Sequence, residues 1–121
     1  MNLIKDTLRE VLISLQLDLT KNLKYDRLTR AILKKSLKDN DNCIDVDCHK
    51  GEILDLMLAH APNGKHYAFE PIPSLFDALK KKYSHKAEVF PYALSDKSGE
   101  TTFQLVKNAP AYSGIKEDDT I

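Results

Sequence analysis

No charge of one sign dominates this chain. Eighteen basic and eighteen acidic side chains cancel over 121 residues, so it lacks the single-sign field that marks a nucleic-acid or acidic-lipid binder. Neither a nucleic acid nor a membrane is expected as a partner. Cysteine is scarce: Cys43 and Cys48 are too few for a disulfide framework, and their spacing is not the C-x-x-C of redox and zinc sites. They read as two buried free thiols. Long apolar runs are missing too. The opening Met1-Asn2-Leu3-Ile4-Lys5-Asp6 meets charge within a few residues, unlike a signal peptide, and nothing approaches the roughly 18 apolar residues of a membrane span. A soluble, reducing, cytoplasmic setting is the expectation.

Periodicity supplies the elements. One domain-sized core is expected, since domains centre on roughly 100 to 150 residues. Leu3, Ile4, Leu8, Val11, Leu12 and Leu15 recur at helical spacing, which predicts an amphipathic helix from Leu3 to Leu17. Tyr25, Leu28, Ile32, Leu33 and Leu37 predict a second helix, stopped by Asp39-Asn40-Asp41-Asn42. Cys43 to Val46 reads as a strand, then a loop through Asp47 to Gly51, then a helix from Ile53 to Ala61. Pro62-Asn63-Gly64 turns the chain into a second strand, His66 to Phe69, which ends at Glu70-Pro71. Pro73-Ser74 opens a helix from Leu75 to Tyr83. Its closing Lys80, Lys81 and Lys82 suit the negative end of the helix dipole better than a phosphate site.

Ala87 to Leu94 predicts a third strand, with Pro91 near its edge or end. Ser95 to Gly99 is turn chemistry. Thr101 to Val106 alternates as an antiparallel fourth strand. The layout is then an N-terminal helical segment over residues 1–40, an α/β domain over 41–106 and an irregular tail over 107–121. Alternating strands and helices predict a three-layer, Rossmann-like α/β fold with a mostly parallel sheet and right-handed crossovers. Ligands of such sheets bind at the carboxyl ends of the strands.

Three strand ends therefore matter: Asp45 to Gly51, Glu70, and Ala93 to Asp96. Glu70 lies 19 positions beyond Gly51, a spacing that suits a carboxylate accepting both hydroxyls of a ribose. The loop excludes two common cofactor classes. A dinucleotide fingerprint would need glycine at 47, 49 and 52, where this chain has Asp47, His49 and Glu52, and His49-Lys50-Gly51-Glu52 is not a phosphate-binding P-loop.

Cys43-Ile44-Asp45-Val46-Asp47-Cys48-His49-Lys50-Gly51-Glu52 resembles motif I of the FkbM-type methyltransferases. Phe69-Glu70-Pro71-Ile72-Pro73 resembles their second-strand signature, and Tyr92-Ala93-Leu94-Ser95-Asp96 with Gly99 to Phe103 is similar to their third strand and hairpin. The match covers about residues 24 to 115. It implies a class I methyltransferase fold, S-adenosylmethionine as cofactor, and methyl transfer to an oxygen of a small-molecule, glycan or metabolite acceptor. Residue by residue, it implies that Asp45, Val46, Asp47, Cys48, His49 and Gly51 hold the methionine part. Glu70 would take the ribose, Pro71 and Ile72 would lie beside the adenine, and Ala93, Leu94 and Ser95 would close over its edge. No catalytic residue is implied.

Two departures qualify the resemblance. Asp47 stands where the family pattern has glycine, so a side chain enters a strained turn beside the ligand's own carboxylate. Family members also continue with further strands, so the chain is expected to be their N-terminal, cofactor-binding part. The strand Cys43 to Val46 would then have one open side, through which self-association is expected. A second reading is a non-catalytic remnant that binds nucleoside weakly or not at all.

Bland alternatives remain beside these. Asp45, Asp47 and His49 offer too few oxygens for a magnesium site, and no metal is expected. His49, His60, His66 and His85 read as surface or turn residues. Glu70 could be a charged strand end facing water. Leu28, Leu33, Leu56 and Leu79 read as core.

Overall fold

A computed structural model describes residues 3–15, 21–100, 102–104 and 114–115. The chain divides into two compact units, Met1–Lys38 and Asp39–Ile121. In the first, helix α1 (Leu3–Ser14) and helix α2 (Lys21–Ser36) follow the predicted periodicity; the expected end of α1 at Leu17 lies outside the described residues. Arg9 pairs with Asp26, and Arg30 grips Glu10 through two bonds of 3.1 and 2.7 Å. None of the helical residues is buried. Leu28, expected in a core, is 38 % exposed. Two helices alone have too little facing surface to enclose both of their apolar stripes.

The second unit is built from strand β1 (Cys43–Val46), helix α3 (Glu52–His60), strand β2 (His66–Phe69), helix α4 (Pro73–Lys82) and strand β3 (Glu88–Phe90). The sheet order is β1-β2-β3, with both pairings parallel. Each crossover carries one helix, as parallel strands require. Cys43 lies opposite His66 and Asp45 opposite Ala68, which in turn faces Val89. These alternate positions are buried, together with Leu54, Met57, Ala61, Leu79 and Tyr83 from the helices and their ends. Both cysteines are buried and free, as expected.

The other sheet face carries Ile44 and Val46, 60 and 56 % exposed, and the half-buried Tyr67, Phe69 and Phe90. The rings of Phe69 and Phe90 stack at 5.2 Å between centroids. Among the described residues no strand pairs with the second edge of β1.

Local chemistry fixes the turns. Gly64 passes so close to the Asp41 carbonyl that a Cβ would lie 1.7 Å from its oxygen, so no side chain is possible there. Pro73 takes a first-turn position of α4, where its missing N–H costs nothing. His66 corrects the expectation of a surface histidine. It is enclosed in β2, and its Nε2–H donates to the Ala61 carbonyl at 2.7 Å, satisfying an acceptor just beyond α3.

The third strand is shorter than expected: it ends at Phe90, where Pro91 can donate no further ladder bond. Of the predicted fourth strand, Phe103–Gln104 forms β4. It pairs antiparallel with β5 (Gly114–Ile115), inside the segment expected to be irregular. Thr101 and residues 105–106 lie outside the described residues. Among the described residues no helix is long and apolar enough to cross a membrane.

Candidate functional site

The carboxyl ends of β1, β2 and β3 lie on one edge of the sheet because all three strands run in parallel. The loop from β1 to α3 is the most constrained segment there. Asp47 and His49 both adopt left-handed backbone, with φ of 62° and 54°. Such conformations in residues other than glycine cost of order 1 to 3 kcal/mol each and persist only where the surroundings over-determine them.

Here two side chains do so. The Glu70 carboxylate accepts the His49 N–H on Oε2 at 2.8 Å and the Ile72 N–H on Oε1 at 2.9 Å. The Tyr83 hydroxyl, at the end of α4, donates to the Gly51 carbonyl at 3.0 Å and lies beside an Asp55 carboxylate oxygen. Backbone bonds complete the frame: Cys48 N–H reaches the Phe69 carbonyl at 2.9 Å, and Gly51 N–H closes on the Cys48 carbonyl at 3.0 Å.

Charge is concentrated in this loop. Asp45 is only 7 % exposed, and its Oδ2 has no hydrogen-bond partner. Burial holds its carboxyl above the usual carboxylate range, and repulsion from Asp47 adds to this; hydrogen bonding by the Cys48 thiol and the Leu54 backbone acts the other way. Burial pushes the Cys48 thiol far up, helped by Asp45, Glu70 and Asp55. The Tyr83 phenol is raised by burial and by Asp55. A cavity of about 400 Å³ and another of about 370 Å³ lie at the opposite strand ends and along β3, away from the loop. A third, of about 330 Å³, is lined by Asp45, Asp47, Glu52, Lys50 and His49, with Cys48 and Ile53. Chemistry, not size, makes this last one the candidate site. Among the described residues no three metal-ligating side chains gather as a metal would need.

Asp45, Asp47, Cys48 and His49 thus share one cavity, and Glu70 and Gly51 frame the loop that forms it. Glu70 is fully enclosed. Each of its oxygens already accepts one backbone amide, from His49 and from Ile72. The Val46 side chain is exposed, and Ile72 is buried next to α4. Pro71 is half-buried. Ala93, Leu94 and Ser95 come after the end of β3 and do not line this cavity; Ser95 Oγ bonds its neighbour Asp96 at 3.2 Å. Tyr83 and Asp55 were not singled out from the sequence. Their one signal is a polar residue at the end of one crossover helix and an acid in the first turn of the other.

No protein-family model matches the chain, and no curated protein matches it. Solved structures do. An rRNA methylase from Streptococcus thermophilus is 15 % identical, with a TM-score of 0.48 over 55 % of this chain and 42 % of its own. TYW2 from P. horikoshii, solved in complex with MeSAdo, is 18 % identical, with a TM-score of 0.49 over 61 % of this chain and 30 % of its own. The cyclopropane synthase MmaA2 from Mycobacterium tuberculosis is 13 % identical, with a TM-score of 0.50 over 64 % of this chain and 29 % of its own. The chain spans less than half the length of each. At such identities the likeness to the synthase shows the fold, a Rossmann-like α/β domain.

Proposed function

We propose that this chain carries the cofactor-binding part of an S-adenosylmethionine-dependent methyltransferase of the FkbM type, one that transfers methyl to an oxygen of a small-molecule or glycan acceptor. The observation that carries the reading is Asp45. It is a buried carboxylate with an unpartnered Oδ2, held in a strand-end cavity by a loop of strained backbone. A buried acceptor without a donor is costly, by about 1 to 3 kcal/mol, and a ligand ammonium would remove that cost.

The residues fit the cationic end of such a cofactor. Asp45 would accept from the ammonium, the loop backbone to Gly51 would line the methionine part, and Ala93 to Ser95 would border the adenine. Glu70 would exchange one of its two amide bonds for a ribose hydroxyl. When bound, the cofactor supplies a methyl group already activated by its sulfonium. The chain's contribution is alignment and exclusion of water. None of the residues described is assigned as the base that removes the acceptor's proton.

Calorimetric titration with S-adenosylmethionine tests the reading. Binding is expected to be lost in Glu70→Ala and strengthened in Asp47→Gly, which relieves both the left-handed strain and the repulsion of the ligand carboxylate. A titration that responds to neither substitution refutes this pocket.

A specific observation favours a second reading, a non-catalytic remnant that binds nucleoside weakly or not at all and self-associates through an open sheet edge. The Cys43 N–H bonds toward β2 at the Lys65 carbonyl, and alternation then turns the N–H and C=O of Ile44 and Val46 to the open edge. Their exposed side chains make that edge apolar as well.

A further inference from the structure

We propose that the strand-end cavity selects a cationic adenosyl ligand that lacks a free carboxylate, with Asp45 and Asp47 together receiving its ammonium and sulfonium. This rests on the cofactor reading above and goes beyond it by naming which charged form of the ligand the site takes.

Four observations converge. Asp45 lines the cavity with a buried oxygen that no protein group satisfies, beside a His49 Nε2 that is likewise without a partner; the Asp45 oxygen, which can only accept when ionised, calls for a donor. Asp47 lines the same cavity from a left-handed turn, with its side chain exposed. The lining sets three carboxylates, Asp45, Asp47 and Glu52, against the one ammonium of Lys50, so a ligand carboxylate that reached this loop would enter a net negative field. The usual compensation, the positive amino end of the following helix, is weakened here, because Glu52 and Asp55 already occupy the first turn of α3. Finally, burial and Asp47 hold the Asp45 carboxyl above its ordinary range. A cation placed beside it would reverse that.

A ligand that offers ammonium and sulfonium gains at both aspartates. One that also carries a carboxylate gives part of that gain back to repulsion. At a half-exposed loop, one unit-charge contact changes affinity by about tenfold.

The experiment is a calorimetric comparison on the whole chain of S-adenosylmethionine, its decarboxylated form and neutral methylthioadenosine, at low and moderate salt. The decarboxylated sulfonium is expected to bind about tenfold more tightly than S-adenosylmethionine, with the neutral nucleoside weakest and the differences shrinking as salt rises. Asp47→Gly should abolish the preference between the two cations. Asp45→Asn should weaken both cations while leaving the neutral nucleoside unchanged. Equal or tighter binding of S-adenosylmethionine by the unmodified chain overturns the proposal and leaves the cofactor reading standing. Failure of all three ligands to bind overturns both.

Discussion

Replacing Gly51 by alanine probes the frame on which the candidate site depends. A Cβ at this position would lie 2.3 Å from the Tyr83 hydroxyl oxygen and 2.8 and 2.9 Å from two of its ring carbons, on a backbone with φ of 88°. The left-handed backbone alone costs an alanine about 1 to 2 kcal/mol relative to glycine. Displacing Tyr83 forfeits the one bond its hydroxyl can donate, to the Asp55 carboxylate or the Gly51 carbonyl, about 1.5 to 3 kcal/mol for a charged acceptor. The stiffer unfolded chain returns only about 0.4 to 1 kcal/mol. The expected loss is about 3 kcal/mol, read as a shift of the urea midpoint monitored by circular dichroism.

Tyr83→Phe supplies the control. It removes the atom nearest the added methyl and is expected to cost about 1 to 2 kcal/mol by itself. Gly51→Ala should therefore cost about 1 kcal/mol less when combined with Tyr83→Phe, because the two sites share one contact. A Gly51→Ala protein within about 0.5 kcal/mol of the parent, the ordinary range of neutral surface changes, would refute the clamp. Strict additivity of the pair would refute the shared contact.

Two further outcomes follow from the same geometry. Because the Asp45 carboxyl is held above its ordinary range in the folded chain, its ionisation destabilises the fold. The cost is absent below the ordinary aspartate value of about 4 and grows as pH rises through the folded value. Asp45→Asn should thus stabilise the fold at pH 7 by about 1 kcal/mol and lose that advantage near pH 3; a pH-independent difference in thermal midpoint would refute the assignment. The exposed edge of β1 should make the chain self-associate, and Ile44→Lys, at an outward position, should reduce this. Light scattering that finds the parent chain monomeric at high micromolar concentration would refute the open edge.

The parallel β-α-β succession was legible because periodicity and turn residues spoke together. Asp47 to Gly51 reads as a loop between an apolar run and a helical one, and Pro62-Asn63-Gly64 marks the next reversal at the place where Gly64 proves irreplaceable. The acid at the end of β2 was legible from its spacing. Its bonding was not, since Glu70 can face water, ligand or backbone with the same neighbours in sequence. His66 escaped because burial of a histidine depends on an acceptor supplied by another element, the Ala61 carbonyl. Tyr83 escaped for the same reason: its partners at Gly51 and Asp55 lie 32 and 28 residues away. Composition carries no trace of such a contact.

Glu70 joins stability to function at this site. Its two oxygens hold the amides of His49 and Ile72, and the first of these bonds helps fix a loop that has two left-handed residues outside glycine. A ribose that claims one oxygen releases an amide and part of the restraint on that strain. Binding energy is then diminished by about 1 kcal/mol per bond exchanged, unless the carboxylate uses its remaining lone pairs and keeps the amides. The two cases differ in the free protein as well as in the complex. Glu70→Gln can keep only one of the two amide bonds, because its –NH₂ faces a donor. The loss should therefore appear as faster hydrogen exchange at His49 or Ile72 before any ligand is added, so loosening of the loop can be separated from loss of a ligand contact.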